Sequence, residues 1–327
     1  MDYSFFGTCS NDHNQFFGCL KTIVNQSILP KELIIVNSGA SDIEKKILNL
    51  IKNVDIKLVY IKAKLSRVKS LNKAIDHINT KYSLRFDSRS RFSRNYAKNA
   101  LKILTDKSIR VDVVGGAPSV IAEKDNYEAK LCASIMKRDY VFLYPKHRNV
   151  NFTGYSSSIY LGCFKTNLLK QIKYNDKESH LSEDSLIISK FIEKGYKPYI
   201  SSKIKVSYIC RSSFLNILKL FHNYGFCRGN TIILSGKVFI SKRHFYVFIV
   251  FSFILVVSIN FSIFSLILYP LILLLINIIG EVVSCNRNYR FWNPLYAFSC
   301  QLIWIIGFLW SFICIFKNKN KPSNFIS

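Results

Sequence analysis

The sequence predicts an α/β domain with a parallel, doubly wound sheet, continued by membrane-spanning helices. Three observations carry this expectation. Short apolar runs of strand character alternate with helical periodicity from Tyr3 to Phe86, the pattern of successive βαβ units. The second run, Leu33-Ile34-Ile35-Val36, is apolar throughout, as in a strand covered on both faces. No charged residue occurs from Phe245 to Gly280, a stretch well beyond the about 20 residues of a single crossing.

The totals narrow the function classes. The chain has 327 residues, enough for one α/β domain and an appendage. Its net charge is +26 while 49% of its residues are apolar. A nucleic-acid arm combines high charge with low hydrophobicity; here both are high, Lys and Arg are interleaved with apolar runs, and no nucleic-acid motif occurs. The basic balance points instead to anionic lipid headgroups and phosphate-bearing ligands, and no nucleic-acid partner is expected. The nine Cys form no Cys-x-x-Cys pair, and three fall in apolar C-terminal segments. This argues against a zinc site or disulfide scaffold and for a reducing compartment. The His residues show no metal-site spacing, and no signal peptide is expected at the N-terminus.

The elements follow in order. Residues 3–9 read as a strand, broken at Ser10-Asn11-Asp12, residues suited to cap the next helix. Phe16, Phe17, Leu20, Ile23 and Val24 recur at helical spacing, and Pro30 ends that segment. After the second strand, Asn37-Ser38-Gly39-Ala40-Ser41-Asp42 is a turn leading into helix 43–52. Ile56–Ile61 is a third strand, and helix 67–78 carries Val68, Leu71, Ile75 and Ile78 on one face. Tyr82-Ser83-Leu84-Arg85-Phe86 is the fourth strand. It ends on Asp87, where open α/β sheets place ligands, and Ser88-Arg89-Ser90-Arg91 reads as a polar loop. Val111–Gly116 reads as a strand ending in a glycine pair, residues 126–136 as a helix, Tyr155–Gly162 as a strand and Asn167–Ile172 as a short helix. Glu183-Asp184 then opens helix 185–194, which stops at Gly195. That acidic pair reads equally as dipole-stabilised helix residues or as paired carboxylates for proton transfer. Ser212–Tyr224 reads as an amphipathic helix for the membrane interface.

The tail predicts spans at residues 245–259, 262–283 and 295–316. Lys237, Lys242 and Arg243 place the start of the first span in the cytoplasm, and Arg287 and Arg290 return there after two spans. A third span carries Lys317, Lys319 and Lys321 to the far side, against the same rule; the alternative is a re-entrant or in-plane 295–316.

The ordered features resemble glycosyltransferase family 2 of the GT-A fold, and within it the membrane-anchored subgroup typified by succinoglycan-type exopolysaccharide glycosyltransferases. The residues that carry the resemblance are Gly7-Thr8-Cys9-Ser10-Asn11, Leu33–Asp42, Ser70-Leu71-Asn72-Lys73-Ala74-Ile75, Arg85-Phe86-Asp87-Ser88-Arg89 and Glu183-Asp184 before a helix and Gly195. The likeness spans about Ser4 to Gly229. It implies a Rossmann-like, mostly parallel sheet over residues 1–230, with a nucleotide-binding half at about 1–116, an acceptor half at about 117–210 and an interfacial helix at about 212–224. Residues 231–327 would form the membrane domain.

The resemblance also assigns roles. Asp184 would be the catalytic base, with Glu183 beside it. Thr8 and Asn37 would lie near the nucleotide base, Asp87 near the ribose or a Mg²⁺ or Mn²⁺ ion, and Gly115 and Gly116 near the donor sugar. The second acid of the family's D-x-D is replaced by Arg89, so two mechanisms stay open. Either Asp87 holds a divalent metal, or Arg89 with Arg67 or Arg91 neutralises the diphosphate directly. The family's Gln-x-x-Arg-aromatic motif survives only as Tyr224, Gly225 and the later Arg228. The implied activity is an inverting glycosyltransferase of hexosyltransferase type. It would move a sugar from a nucleotide donor, uridine-linked, to a polyisoprenyl-diphosphate-linked or oligosaccharide acceptor in cell-surface polysaccharide synthesis. The implied place is the cytoplasmic membrane, with several spans, contact with the bilayer and the catalytic domain in the cytoplasm. The alternatives are a degenerate scaffold that binds nucleotide or a partner enzyme, and a processive polysaccharide synthase.

Overall fold

The computed structural model describes residues 1–142, 145–176, 180–235, 256, 268–284, 289 and 291–317. The chain folds as two compact units. The first comprises Met1–Ile121, Lys146–Glu178 and Glu183–Ile209; the second comprises Ala122–Pro145, Ser179–Ser182 and Cys210–Ser327.

In the first unit, strands β1 (Tyr3–Cys9), β2 (Glu32–Asn37), β3 (Lys57–Lys62) and β4 (Tyr82–Phe86) alternate with helices α1 (His13–Val24), α2 (Glu44–Ile51) and α3 (Arg67–Asp76). Then come β5 (Ser90–Phe92), α4 (Tyr96–Leu104), β6 (Val113–Gly115) and β7 (Pro118–Ala122). Helix α5 (Tyr127–Lys137) belongs to the second unit. The first resumes with β8 (Gly154–Tyr155), β9 (Cys163–Lys165), α6 (Thr166–Ile172), α7 (Glu183–Glu193), β10 (Pro198–Ile200) and β11 (Val206–Cys210). The main sheet has the order β3-β2-β1-β4-β9-β6-β10-β8, and a small one the order β5-β11-β7. Pairing is parallel among β1, β2, β3 and β4 and between β6 and β10, whereas β9 runs against β4 and β6, and β8 against β10.

Alternation along the strands builds a core on each face of this sheet. Phe5, Leu33, Ile35, Leu84 and Phe86 face one core, closed by α1, α2 and α4 through Leu20, Ile47 and Leu101. Phe6, Ile34 and Val36 face the other, closed by α3 and α7 through Leu71, Ile75, Ile187 and Phe191. The expected doubly wound order therefore holds for the N-terminal half.

Two expectations are corrected. Part of the polar loop at Ser88–Arg91 is strand: β5 pairs antiparallel with β11, Phe92 opposite Val206 and Ser90 opposite Tyr208. Such a short polar strand leaves no apolar alternation to read. The strand expected over Tyr155–Gly162 is only the two-residue β8. Beyond it the Ser156 hydroxyl donates to the Ser158 carbonyl at 2.8 Å and accepts from the Ser158 amide at 3.3 Å. Side-chain bonds of this kind replace a ladder with a turn. Leu161 and Gly162 then take positive φ of 62° and 97°, which reverses the chain into β9.

In the second unit, helices α8 (Phe214–Ser235), α9 (Leu268–Val283) and α10 (Trp292–Lys317) follow α5. The helix expected over 212–224 continues eleven residues further, to Ser235, and packs along α10. The packing is close, with backbone against backbone at Gly225 and Gly307 and a serine side chain against Gly229. A Cβ at Gly225 would lie 2.0 Å from the Trp304 carbonyl oxygen, one at Gly229 1.8 Å from Ser311 Oγ, and one at Gly307 2.2 Å from the His222 carbonyl oxygen. Small residues at such crossings are the usual device of apolar helix pairs. A buried polar group also ties this unit together. Arg138 Nε and Nη2 each donate at 2.7 Å to the two oxygens of Glu281 on α9. Tyr140 and Asn293 donate to the same carboxylate at 2.9 and 3.0 Å.

Trp292–Ile315 is the one described helix long and apolar enough to cross a membrane, and Pro270–Val283 is a shorter apolar helix. The expected span at 245–259 lies outside the described residues apart from Val256, and the expected span at 262–283 is described only from Leu268 onward.

Candidate active site

The winding of the sheet reverses between β1 and β4, the position where doubly wound sheets leave a crevice at the carboxyl ends of their strands. β4 delivers Asp87 to that end. Helices α3 and α7 lie on one face, fixed there by their apolar sides, and both begin near it. Arg67 is the first residue of α3, whose N-cap Ser66 accepts from the Lys69 amide. Glu183 and Asp184 are the first residues of α7, where the helix dipole favours anions.

These four side chains meet. Arg67 Nη2 donates to both oxygens of Asp87, at 3.0 and 2.9 Å, and its Nε donates to Glu183 Oε1 at 2.8 Å. Arg85, two residues before Asp87, joins them from inside the sheet. Its Nη2 donates to Asp87 Oδ1 at 3.3 Å, and its Nη1 donates to Asp184 and, at 3.0 Å, to the Tyr174 hydroxyl. Lys173 has a positive φ of 46° with ψ of 161° at the end of α6, a sparsely populated conformation costing on the order of 1–3 kcal/mol, and this turn delivers Tyr174. Asn72 of α3 clamps the Tyr174 backbone, donating to its carbonyl at 3.0 Å and accepting from its amide at 2.9 Å.

The environment separates the two aspartates. Burial pushes the Asp87 carboxyl up, but Arg67 and Arg85 outweigh it and hold the group below the ordinary carboxylate value. Burial also pushes Asp184 up. Arg85 opposes this, Glu183 and Asp87 reinforce it, and the group lies above the ordinary value. The Asp184 side chain remains 47% exposed. A carboxylate that is reachable from solvent, anchored and raised in proton affinity suits general-base work. Arg67, its side chain 49% exposed, places a cation beside it. Burial pushes the Cys9, Cys19 and Cys132 thiols up to about 12, so these three stay protonated at neutral pH.

The remaining predicted residues are placed as follows. Thr8 is half-buried near the end of β1, opposite Val36. Asn37 is fully buried and organises its own turn. Its Nδ2 donates to the Ser41 carbonyl and the Tyr60 hydroxyl, and its Oδ1 accepts from the Gly39 amide. Arg89 pairs with Asp12 at 2.9 Å. Arg91 fastens α1 to the segment after β4, donating to the Gln15 carbonyl and to Gln15 Oε1. Gly18 leaves room for it, since a Cβ there would lie 2.2 Å from Arg91 Nη2. A Cβ at Gly115 would meet Ile159 at 2.3 Å, and one at Gly116 the Ile204 carbonyl oxygen at 1.7 Å. Packing thus accounts for that glycine pair.

Arg85 and Tyr174 were missed as site residues. The available signal was a cation inside an otherwise apolar strand, which must be paired once the strand is buried. Tyr174 carried no such signal.

The donor set does not fit a divalent metal ion at Asp87. Both Asp87 oxygens already accept from guanidinium groups, and Arg89 stands where a second acid would help. Among the described residues, no three His, Cys, Asp or Glu side chains converge on a metal position.

No curated protein matches the sequence. Among solved structures, a mannosyltransferase of Pyrobaculum calidifontis, PcManGT, in complex with GDP-Man and Mn²⁺, is 14% identical with a TM-score of 0.58, over 94% of this chain and 87% of that one. At this identity the likeness shows the fold. TarS 1-349 of S. aureus is 13% identical over 100% of this chain and 95% of that one, with a TM-score of 0.48. Residues 15–170 match the family described as Glycosyl transferase family 2. That match takes in Arg67, Arg85 and Asp87, so residues 15–170 form a domain of the glycosyl transferase family 2 type, the mark of a glycosyltransferase.

Proposed function

We propose that this glycosyltransferase moves a single sugar, with inversion, from a uridine-linked nucleotide donor to a saccharide carried on a polyisoprenyl diphosphate. The observation that carries the reading is the convergence of Arg67, Asp87, Glu183 and Asp184 at the carboxyl end of β4. Asp184 takes the proton of the acceptor hydroxyl. The oxygen then attacks the anomeric carbon from the face opposite the diphosphate. The bond from that carbon to the diphosphate oxygen breaks, and the nucleoside diphosphate leaves with the electron pair. A diphosphate arriving here meets Arg67, which is free to exchange its carboxylate partners for phosphate oxygens in bidentate contacts. Arg89 is a second cation near the same strand end. Asp87 and Thr8 remain the candidates for ribose and base contacts.

The acceptor reading rests on the basic composition and the apolar second unit. Leu271, Leu275, Ile279 and Val283 on α9 and Leu309 and Trp310 on α10 are exposed, an apolar surface that suits a bilayer. Attachment to the cytoplasmic membrane by several spans, with the first unit in the cytoplasm, is part of this proposal. The competing reading is a nucleotide-binding scaffold without turnover, favoured by the closure of Arg67 over two of the three acids.

The test is transfer from radiolabelled UDP-sugars to extracted lipid-linked saccharides by detergent-purified protein. We expect label in the lipid fraction with the wild type and a loss of about 10²–10⁴-fold with Asp184→Asn. Wild-type protein that binds UDP yet labels no acceptor favours the scaffold.

A further inference from the structure

A single guanidinium serves both aspartates of the site. Arg85 is 1% exposed, the largest fully buried side chain in the described structure. It pairs in register with Phe6, so it occupies the apolar layer between the sheet and helices α3 and α7. A cation in such a layer is costly to bury unless its charge is paired. Nη1 and Nη2 are matched by Tyr174, Asp184 and Asp87, while the buried Nε has no partner. The Tyr174 ring also lies beside the guanidinium, 5.4 Å from ring centroid to Cζ. Tyr174 is itself held by Asn72, so the clamp is fixed on three sides.

Among the described residues, the charged and titratable groups that act on Asp184 are Arg67 on α3, Arg85 in β4, Asp87 after β4, Tyr174 after α6 and Glu183 beside it on α7. Two are cations. Arg67 is bonded to Asp87 and Glu183, and Arg85 is the cation bonded to Asp184.

We infer that Arg85 is a positioning residue of the transfer reaction: it aims the Asp184 carboxylate, keeps it in the proton-accepting form, and ties it to Asp87 on the donor side. Arg85 acts through Asp184 and Asp87. It takes no proton and no bond forms to it. Without it, Asp184 faces Glu183 and Asp87 with its bonded cation gone, and its proton affinity rises. The inference rests on Asp184 being the base.

The experiment uses the full chain in detergent micelles with ¹³C-labelled aspartate carboxyl carbons. The Asp184 signal is the one that vanishes in Asp184→Asn, and its titration is followed in wild type, Arg85→Met and Arg85→Lys. UDP affinity and sugar transfer are measured on the same samples. In Arg85→Met we expect the Asp184 midpoint to rise by about one pH unit or more. The acid limb of kcat should move with it, and UDP affinity should stay within about threefold of wild type. Arg85→Lys keeps the charge but cannot hold both carboxylates, so it should show a smaller rise. A folded Arg85→Met chain whose Asp184 midpoint is unmoved overturns the inference. If Arg85→Met does not fold, an unmoved midpoint in Arg85→Lys does the same. An Asp184→Asn chain that still transfers sugar overturns it through its premise, whatever the titration shows. An inactive Asp184→Asn with unmoved midpoints overturns the role of Arg85 alone.

Discussion

Arg67 and Arg85 divide the three acids of the site between them, and their burial separates their tasks. Arg67 is half-exposed and bonded to groups that a diphosphate can replace. Arg67→Ala should therefore weaken UDP binding by about 10- to 100-fold, the weight of one or two charge-assisted hydrogen bonds. Calorimetry reads this directly, and unchanged affinity would remove Arg67 from the donor site. The two aspartates should also differ in pH response. Asp87 is held below its ordinary value by Arg67 and Arg85 against the effect of burial. Its contribution to stability is present above about pH 4 and is lost as pH falls through its folded-state value. Denaturant unfolding at a series of acid pH values should show this loss, and Asp87→Asn should flatten it. Asp184 is raised, so the acid limb of turnover should lie above the about 3.9 of a free aspartate. A limb at or below that value would mean that another group accepts the proton.

Helices and strands bring these residues together through close packing at a few glycines. Gly116 has the Ile204 carbonyl oxygen at 1.7 Å from the place a Cβ would take, and a backbone group cannot swing aside. Gly116→Ala should cost about 2 kcal/mol or more, seen as a lower midpoint in chemical denaturation. Stability within a few tenths of wild type would show that the β6 end is not packed this tightly. At this scale the sequence was partly legible. The apolar run Leu33–Val36 and the helical spacing of Leu71 and Ile75 identify β2 and α3 because burial imposes their periodicity. β5 escaped because three residues of polar pattern carry no period. The strand expected over Tyr155–Gly162 failed because serine side chains take over the backbone bonds. In the candidate site, Asp87 was marked by its position after a strand, whereas Glu183 and Asp184, which read equally as plain helix-start residues, were singled out by the family resemblance. Tyr174 was not, since only the tertiary fold brings it under Arg85.

The molecule as a whole joins a nucleotide-binding type of α/β unit to an apolar helical one. The boundary between them was hidden because α5 and α8 precede the apolar tail in sequence yet fold with it. Close contact at Gly225, Gly229 and Gly307 makes α8 dependent on α10. A chain ending at Ser235 should therefore aggregate where the full chain in detergent does not, as size-exclusion chromatography would report. A monodisperse truncated chain would show that α8 needs no partner. Helix α10 was legible from its length and apolarity, while Arg138 and Glu281 gave no sign in sequence of meeting inside the same unit. The most direct measurement is calorimetric titration of UDP into the full chain in detergent, with EDTA and then with Mn²⁺. We expect the same affinity in both, lost with Arg67→Ala. Binding that needs Mn²⁺ and disappears with Asp87→Asn would contradict a diphosphate site built on arginine.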